Sequence, residues 1–392
     1  MEPFSRHSDY SLVTAILPRH STHQVLEAVL ASGAHYALTT SARGSLMNER
    51  WYQSFLPALS PEQEIITFLV PNAEADTLME EIVMVGKLQL YGAGSIFATP
   101  CEELVCAEDY PRWEPGKYTF ESVSFDIKFR KELVALVLIT EKDSADGVAR
   151  AAIKAGAPGP TISYVRGYGL RDRLGLLRIT KTHDKELVTA VVDRCDVDAV
   201  FQAMAEEGRV DQPGRGIIYQ IPISKGLTNL ASVFHAQKHS ASIQQIVRAI
   251  DEMNGGTDWR ANQLLIHDPN ASEFRQNSRG VVNDRVVLNV NCRRKDTDEL
   301  LQAALQFGTP GASVSNWRFA EAEAKQTTGG LRINREIGNL AMILPLEKAK
   351  LLQTHLMETI VNRGIEKSCL YTIPAPVVKT YISAQSKAKK AP

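Results

Sequence analysis

The chain has 392 residues, of which 44% are hydrophobic and 23% are charged, a balance typical of a folded protein with a core and not of a disordered one. Its 44 basic and 45 acidic residues leave a net charge of -1, so no global field favours nucleic acid or an anionic membrane. Five scattered cysteines, no signal-like start and no run of about 18 apolar residues predict a cytoplasmic protein with reduced thiols that is not itself membrane-embedded.

Strand-like and helix-like patterns alternate along the first part of the chain. Helices are predicted from a cap at Ser21 through Leu30 and over residues 78–84. Short apolar runs predict four strands, over residues 12–17, 35–40, 65–70 and 96–99. The resulting order is βαββαβ, the split-βαβ or ferredoxin-like unit.

The same order returns twice. In the middle of the chain, Ser144 caps a helix that Gly156 ends, Val197 to Met204 form a second helical stripe, and strands are predicted over residues 133–140, 162–165, 187–192 and 216–222. Near the end, helices are predicted from Thr297 to Leu305 and over 347–361, with strands over 286–291, 313–316, 339–344 and 368–373.

Three sets of residues recur with nearly constant spacing. A glycine ends the first helix of each copy, an arginine follows ten residues later, and the last strand closes on aromatic-x-x-Pro: Gly33, Gly156 and Gly308; Arg43, Arg166 and Arg318; Pro100, Pro222 and Pro374. The separations from glycine to proline are 67, 66 and 66 residues, which indicates three tandem repeats.

The repeats predict a division of the chain into three domains. Repeats are expected over 1–110, 132–228 and 284–382, joined by connectors over 111–131 and 229–283 and followed by a disordered basic tail over 383–392. The second connector is expected to contain a helix over 239–254, ended by Gly255 and Gly256.

Two kinds of segment inside the repeats are candidates for binding. Each repeat has a long polar loop, over 41–64, 166–184 and 318–338, and long loops in compact domains are usually functional or disordered. Glycine-bearing segments precede two of the last strands, at Gly92 and Gly94 and at Gly214, Arg215 and Gly216. Such glycines either make tight turns or turn backbone N–H groups toward phosphate oxygens. The repeated arginines are either anion ligands or solvated strand ends.

These segments resemble the PII signal-transduction superfamily. Tyr164 to Gly169 is similar to the base of the family's T-loop, and the Gly214-Arg215-Gly216 and Gly92-Ala93-Gly94 segments are similar to its B-loop. The resemblance covers about 290 of the 392 residues. It implies ferredoxin-like subunits that form trimers, adenine nucleotides in the clefts between subunits, and T-loops that contact a partner. Three copies in one chain would form an α+β, intramolecular PII-like pseudo-trimer. Bare sheet faces would then cover one another and bury residues such as Val137 and Leu288.

The chain departs from the family pattern in each of the three repeats. Ala93 and Arg215 stand where the B-loop has an acid, and Glu366-Lys367 replaces the glycine pair in the third repeat. The loop-base Gly-x-Gly is complete only in the second repeat. The predicted ligand-binding residues are therefore mainly those of the second repeat, with weaker counterparts in the first: Arg166, Gly167, Gly169, Gly214, Arg215 and Gly216; Arg43, Gly44, Gly92 and Gly94.

The resemblance implies a non-catalytic regulatory protein, of the kind that acts in nitrogen regulation. Its effector would be ATP, ADP or another adenine nucleotide, and its partner a membrane transporter or a metabolic enzyme. Trp51, Tyr52 and Phe55 in the first long loop either pack on the body or bind that partner. No firm cofactor, catalytic residue or metal site is predicted, since no histidine stands in a recognisable zinc-binding motif. Two alternatives stay open: an enzyme with a diverged active site in one cleft, and a scaffold that has lost ligand binding.

Overall fold

A computed structural model describes residues 4–45, 62–90, 92–111, 113, 118, 120, 127–169, 184–229, 280–322 and 331–381. The predicted connector helix over 239–254, the tail over 383–392 and most of the predicted loops over 41–64 and 166–184 lie outside the described residues. Of the loop predicted over 318–338, only residues 323–330 lie outside them, and the rest belongs to two strands.

The elements from residue 10 to residue 100, called the first unit, follow the βαββαβ order. A short strand, β1 (Phe4–His7), precedes them. The unit comprises β2 (Tyr10–Pro18), α1 (Arg19–Ala31), β3 (Ala37–Gly44), β4 (Glu62–Pro71), α2 (Ala75–Val85) and β5 (Gly94–Pro100). β6 (Glu103–Ala107) follows.

Two further stretches have the same order of elements. The second unit, residues 133–222, comprises β7 (Leu133–Glu141), α3 (Ala145–Lys154), β8 (Thr161–Gly169), β9 (Asp184–Asp193), α4 (Val197–Glu207) and β10 (Gly216–Pro222), followed by β11 (Lys225–Asn229). The third unit, residues 281–380, comprises β12 (Val281–Arg293), α5 (Thr297–Phe307), β13 (Gly311–Ala322), β14 (Leu331–Pro345), α6 (Leu346–Arg363) and β15 (Cys369–Thr380).

Each unit has an antiparallel sheet with one strand order. The fourth strand pairs with the first, the first with the third, and the third with the second, as in β5-β2-β4-β3. The apolar faces of the two helices pack on one face of their own sheet and form a separate core in each unit. The first helices end at glycines with φ between +104° and +113°, a conformation that favours glycine, as predicted for Gly33, Gly156 and Gly308. The prediction of mixed α and β structure is confirmed.

The second strands of the three units pair with one another in a closed ring. Ala42 to Gly44 of β3 pair with β8, Arg166 to Gly169 of β8 pair with β13, and Arg318 to Ala320 of β13 pair with β3. We call these contacts the first–second, second–third and third–first joints. Each strand thus has one neighbour at its beginning and another at its end.

Three extended segments, called the arms, repeat this cyclic pattern at the fourth strands. β6, after the first unit, pairs with β15 of the third. β11, after the second unit, pairs with β5 of the first. The end of β15, around Val378 to Thr380, pairs with β10 of the second. Every unit therefore lends a strand to the unit before it in the ring.

A shared core lies between the sheets. It contains Leu38 from the first unit, Val137 and Tyr219 from the second and Val287 from the third, all buried. Cys101 belongs to the same core, and burial raises the pKa of its thiol to about 12. Each such buried large apolar side chain contributes about 1.5–3 kcal/mol to the free energy of unfolding.

The structure differs from the sequence expectations in several places. Val137 lies in the shared core, but Leu288 instead packs in the third unit's own core because its side chain faces the helices. β12 begins at Val281, before the predicted boundary at residue 284. Strands β1, β6 and β11 were not predicted, since they are short and bury their residues mainly through contacts with distant parts of the chain.

Candidate functional site at the second–third joint

The repeated arginines lie within strands, each opposite an acidic residue of its own unit. Arg43 pairs in register with Glu62, Arg166 with Asp184, and Arg318 with Glu336. Two residues further along the third strand of each unit, the position is occupied by Glu64, Glu186 or Gly338. This second position faces the arginine of the preceding unit in the ring.

At the first–second joint, Arg43 is held by three groups of the second unit. Its guanidinium donates to both carboxylate oxygens of Asp146, at 2.6 and 3.0 Å, and lies 3.4 Å from Glu186 Oε1. Its Nε donates to the Tyr164 hydroxyl at 3.2 Å. The hydrogen bonds to Asp146 raise the pKa of Arg43 above its ordinary value. Arg43 therefore joins two units and is not available to a ligand.

An ion pair of the same type connects the two units at the third–first joint. Arg318 of β13 forms an ion pair with Glu64 of β4, whose side chain is only 11% exposed. Glu186 at the other joint is buried too, and its Oε2 accepts a hydrogen bond from the Ala145 backbone N–H at 3.0 Å, at the start of α3. The buried glutamates are thus satisfied at both joints.

Arg166 has no such partner at the second–third joint. The position equivalent to Glu64 and Glu186 is Gly338, and Arg166 makes no ion pair with any residue the structure describes. A Cβ at Gly338 would lie 2.0 Å from Thr297 Oγ1, so the hydroxyl of Thr297 fills the space that a side chain would need. The equivalent residue beside Glu186 is Ala145.

A second ion pair, which recurs in the first and third units, is absent among the described residues of the second unit. Arg19 pairs with Glu62 at 2.7 Å in the first unit, and Arg294 pairs with Glu336 at 2.6 Å in the third. The equivalent residues of the second unit are Lys142 and Asp184, both exposed, and within the described part of the chain they form no ion pair.

The unpaired groups line one cavity of about 610 Å³ at the centre of the ring. All three units contribute to it, including Ser41, Tyr164 and Asn316 at equivalent strand positions. Five cationic side chains and two carboxylates line the cavity: Lys142, Arg166, Lys185, Arg294 and Arg318, with Asp184 and Glu336. Its electrostatic balance favours an anion.

The glycine-bearing loop of the second unit lies next to this cavity. Lys185 Nζ, which lines the cavity, donates to the Gly214 carbonyl at 3.3 Å, and its side chain packs against Gly167. Arg215 instead forms an ion pair with Glu141. The structure thus brings Arg166, Gly167 and Gly214 together around Lys185.

The remaining predicted residues have structural roles. A Cβ at Gly216 would lie 2.0 Å from Ile139 O, and one at Gly94 would lie 2.3 Å from Ile16 O, so both glycines allow close approach to the first strand of their unit. Gly44 and Gly169 pair across the joints. Gly92 donates its N–H to Asn229 O of arm β11 at 2.7 Å, so this loop is covered.

The loop before the last strand of the third unit binds a carboxylate of the chain itself, that of Asp109. The Lys367 backbone N–H donates to both Asp109 oxygens at 2.9 Å, just beyond arm β6. Nearby, a cavity of about 440 Å³ is lined by residues that include Tyr110 and Arg293. Neither cavity is lined by histidine or cysteine.

Sequence reasoning missed the acids that decide which arginine is unpaired. Their signal is present within each third strand, as Glu62-x-Glu64, Asp184-x-Glu186 and Glu336-x-Gly338. Trp51, Tyr52 and Phe55, predicted to bind a partner, lie outside the described residues. In the described ranges no helix is long and apolar enough to cross a membrane, and no group of three metal-ligating side chains was found.

Comparison with known proteins connects the second unit to one family. Residues 133–228 match the family described as Nitrogen regulatory protein P-II. No curated protein matches this chain. An aspartate kinase structure from Synechocystis aligns at 9% identity and a TM-score of 0.20, over 95% of this chain and 44% of that chain. A microcompartment protein from Desulfitobacterium hafniense aligns at 10% identity and a TM-score of 0.16, over 55% of this chain and 96% of that one. These two structural similarities carry no argument here.

Proposed function

We propose that the chain is a PII-like regulatory protein in which three PII-like repeats form an intramolecular trimer. The family match over residues 133–228 supports the PII character of the second unit. The cyclic pairing of β3, β8 and β13, and the cyclic exchange of the three arms, support the trimeric arrangement of all three units. A single chain would then supply what separate subunits supply in a homotrimer.

The effector binds in the cavity at the second–third joint. The observation that carries this proposal is that Arg166 has no ion pair with a described residue, although its counterparts Arg43 and Arg318 both have one. A cavity of about 610 Å³ is in the usual range for a small-molecule site. The effector we propose is an adenine nucleotide, ATP or ADP, because its phosphates match the cationic lining and the family resemblance implies such a ligand.

One effector binds per chain. Arg43 and Arg318 fill the other two joints with ion pairs, and the loops at Gly92 and Lys367 are occupied by Asn229 and Asp109. These occupied positions argue against three equivalent sites. The open second–third joint argues against a scaffold without ligand binding.

Signalling is proposed to pass through the long loops to a protein partner, a membrane transporter or a metabolic enzyme. Arg166 lies near the end of β8, the strand that leads into the predicted loop over 166–184, so a ligand in the cavity contacts that strand. We propose a cytoplasmic, non-catalytic role in nitrogen regulation, with Trp51, Tyr52 and Phe55 as the partner-binding residues of the first loop.

Titration calorimetry of the full chain with ATP, ADP and cyclic AMP tests this function. We expect saturable heat with a stoichiometry of about one for at least one of the three nucleotides. Absence of heat for all three at high protein concentration removes the nucleotide from the proposal. A stoichiometry of three removes the single-site arrangement.

A further inference from the structure

We infer that an anionic group of the effector, a phosphate or a carboxylate, occupies the place that a glutamate carboxylate fills in the other two joints. Bound against Arg166, this group completes the joint between the second and third units. The inference rests on the proposed function, since it assigns the ligand chemistry of the same cavity.

The comparison of the three joints supports this assignment. In two of them an arginine on the second strand meets a glutamate on the third strand of the next unit. In the remaining joint the arginine is kept and the glutamate is replaced by Gly338. An arginine guanidinium binds carboxylates and phosphates through the same paired N–H groups, so either anion substitutes for the missing side chain.

Lys142 supplies a second positive charge in this cavity. The equivalent cations of the other units, Arg19 and Arg294, are each paired with an acid, whereas Lys142 forms no ion pair with a described residue. Arg166 and Lys142 thus provide two cations in one cavity, which suits a ligand with more than one negative charge.

A buried hydroxyl faces the same cavity. Thr39 has no exposed surface, lines the cavity, and its Oγ1 makes no hydrogen bond with any described residue. An unsatisfied buried hydroxyl costs about 1–3 kcal/mol. An anionic oxygen or a ligand hydroxyl within reach of Thr39 would satisfy it.

The nearest competitor for Arg166 is Asp184, its cross-strand neighbour. Asp184 lines the cavity but is exposed and forms no ion pair with Arg166. Glu336, the other carboxylate of the lining, is paired with Arg294. The carboxylate of Asp184 therefore opposes an incoming anion, and its neutralisation should strengthen binding.

The test uses inorganic pyrophosphate and succinate as probes, one for each anion chemistry, titrated into the full chain by calorimetry. We expect at least one probe to bind the unchanged protein with a stoichiometry of about one, and Arg166→Gln to weaken that binding about tenfold or more. Asp184→Asn should tighten it several-fold. Preference for one of the two probes identifies the anionic group.

A double variant tests the substitution of ligand for glutamate directly. Thr297→Ala with Gly338→Glu reproduces the Ala145 and Glu186 pair of the second unit and places a carboxylate opposite Arg166. We expect it to abolish probe binding while the protein melts at the same or a higher temperature. Thr297→Ala alone and Arg43→Gln are controls that should retain probe binding.

The outcomes separate this inference from the proposed function. The inference is overturned if neither probe binds, or if binding survives both Arg166→Gln and the folded double variant. ATP binding that persists in those variants would leave the regulatory function standing with its site elsewhere. Probe binding without any nucleotide binding would support the anion site and remove the nucleotide.

Discussion

Arg43 and Arg318 form ion pairs with glutamates of the next unit, whereas for Arg166 the position equivalent to those glutamates is Gly338. The three arginines occupy equivalent positions, so the difference between them comes from the residues that the next unit places near them, and Gly338 lacks the carboxylate of Glu64 and Glu186. The repeated arginine therefore forms an ion pair with the next unit at two joints and none with a described residue at the third.

Neutralising the paired and the unpaired arginine should have different effects on stability. Arg43→Gln removes the partner of Asp146 and leaves Glu186, which is 5% exposed at its side chain, without its cation. We expect the free energy of unfolding to fall by about 1–3 kcal/mol, as measured by urea denaturation.

Arg166→Gln is the matched control, since the same chemical change occurs at an arginine that forms no ion pair within the described part of the chain. Its free energy of unfolding should stay within about 0.5 kcal/mol of the unchanged protein. Equal destabilisation by the two substitutions would contradict the assignment of Arg43 to a joint and Arg166 to a cavity.

The sequence indicates all three arginines as a repeated feature, but it does not indicate which of them lacks an acidic partner among the described residues. Spacing from Gly33, Gly156 and Gly308 places them correctly, because glycine ends each first helix in the left-handed conformation. Their partners come from a different unit, and sequence distance contains no information about which units meet. The identity of the opposing residue became informative only once the ring of strands was known.

At the scale of elements, the two glycines of the Gly214-x-Gly216 segment differ. Gly216 begins β10 at a point where the backbone of β7 approaches closely. Gly214 has a φ of +77°, and a Cβ added to it would meet no atom within 4 Å. From the sequence pattern alone, this motif is either a tight turn or a phosphate-binding loop. Gly216 has the first role, and Gly214 keeps the loop beside the cavity.

Alanine substitutions should distinguish these two roles. Gly216→Ala places a Cβ against the Ile139 carbonyl, which cannot move without disturbing the sheet, and should lower the free energy of unfolding by about 3 kcal/mol. Gly214→Ala costs only the left-handed backbone strain of about 1 kcal/mol. Chemical denaturation of both variants checks the order, and a larger loss at Gly214 would contradict it.

The arms were the elements hardest to predict. β6 and β11 have five residues each, and both lie in segments where the sequence predicts connectors or domain ends. Their pairing with distant strands, and not their own pattern, makes them strands. Helices and the strands inside each unit were predictable because their hydrophobic period reflects burial against neighbours close in sequence.

At the scale of the whole molecule, the units are not independent. The shared core takes side chains from all of them, and each fourth strand is covered by an arm from another unit. Separation of the second unit would expose Val137 and Tyr219 and remove the four sets of backbone hydrogen bonds that β8, β10 and β11 make with the other units.

The isolated second unit, residues 133–228, should therefore fail to fold cooperatively although it contains the entire family match. The full chain should unfold in a single thermal transition followed by circular dichroism, while the fragment gives a broad transition or aggregates. A monomeric fragment that melts sharply at the temperature of the full chain would show that the units are separable.

Strand β15 is held near both of its ends by different units. Around Val378 to Thr380 it pairs with β10, close to the loop at Gly214, and from Cys369 to Thr372 it pairs with β6 beyond the first unit. Thr380 Oγ1 also donates to the Gly216 carbonyl at 3.1 Å. Because β15 is one continuous strand, a displacement of that loop should also move the residues of β15 that pair with β6, the arm that follows the first unit.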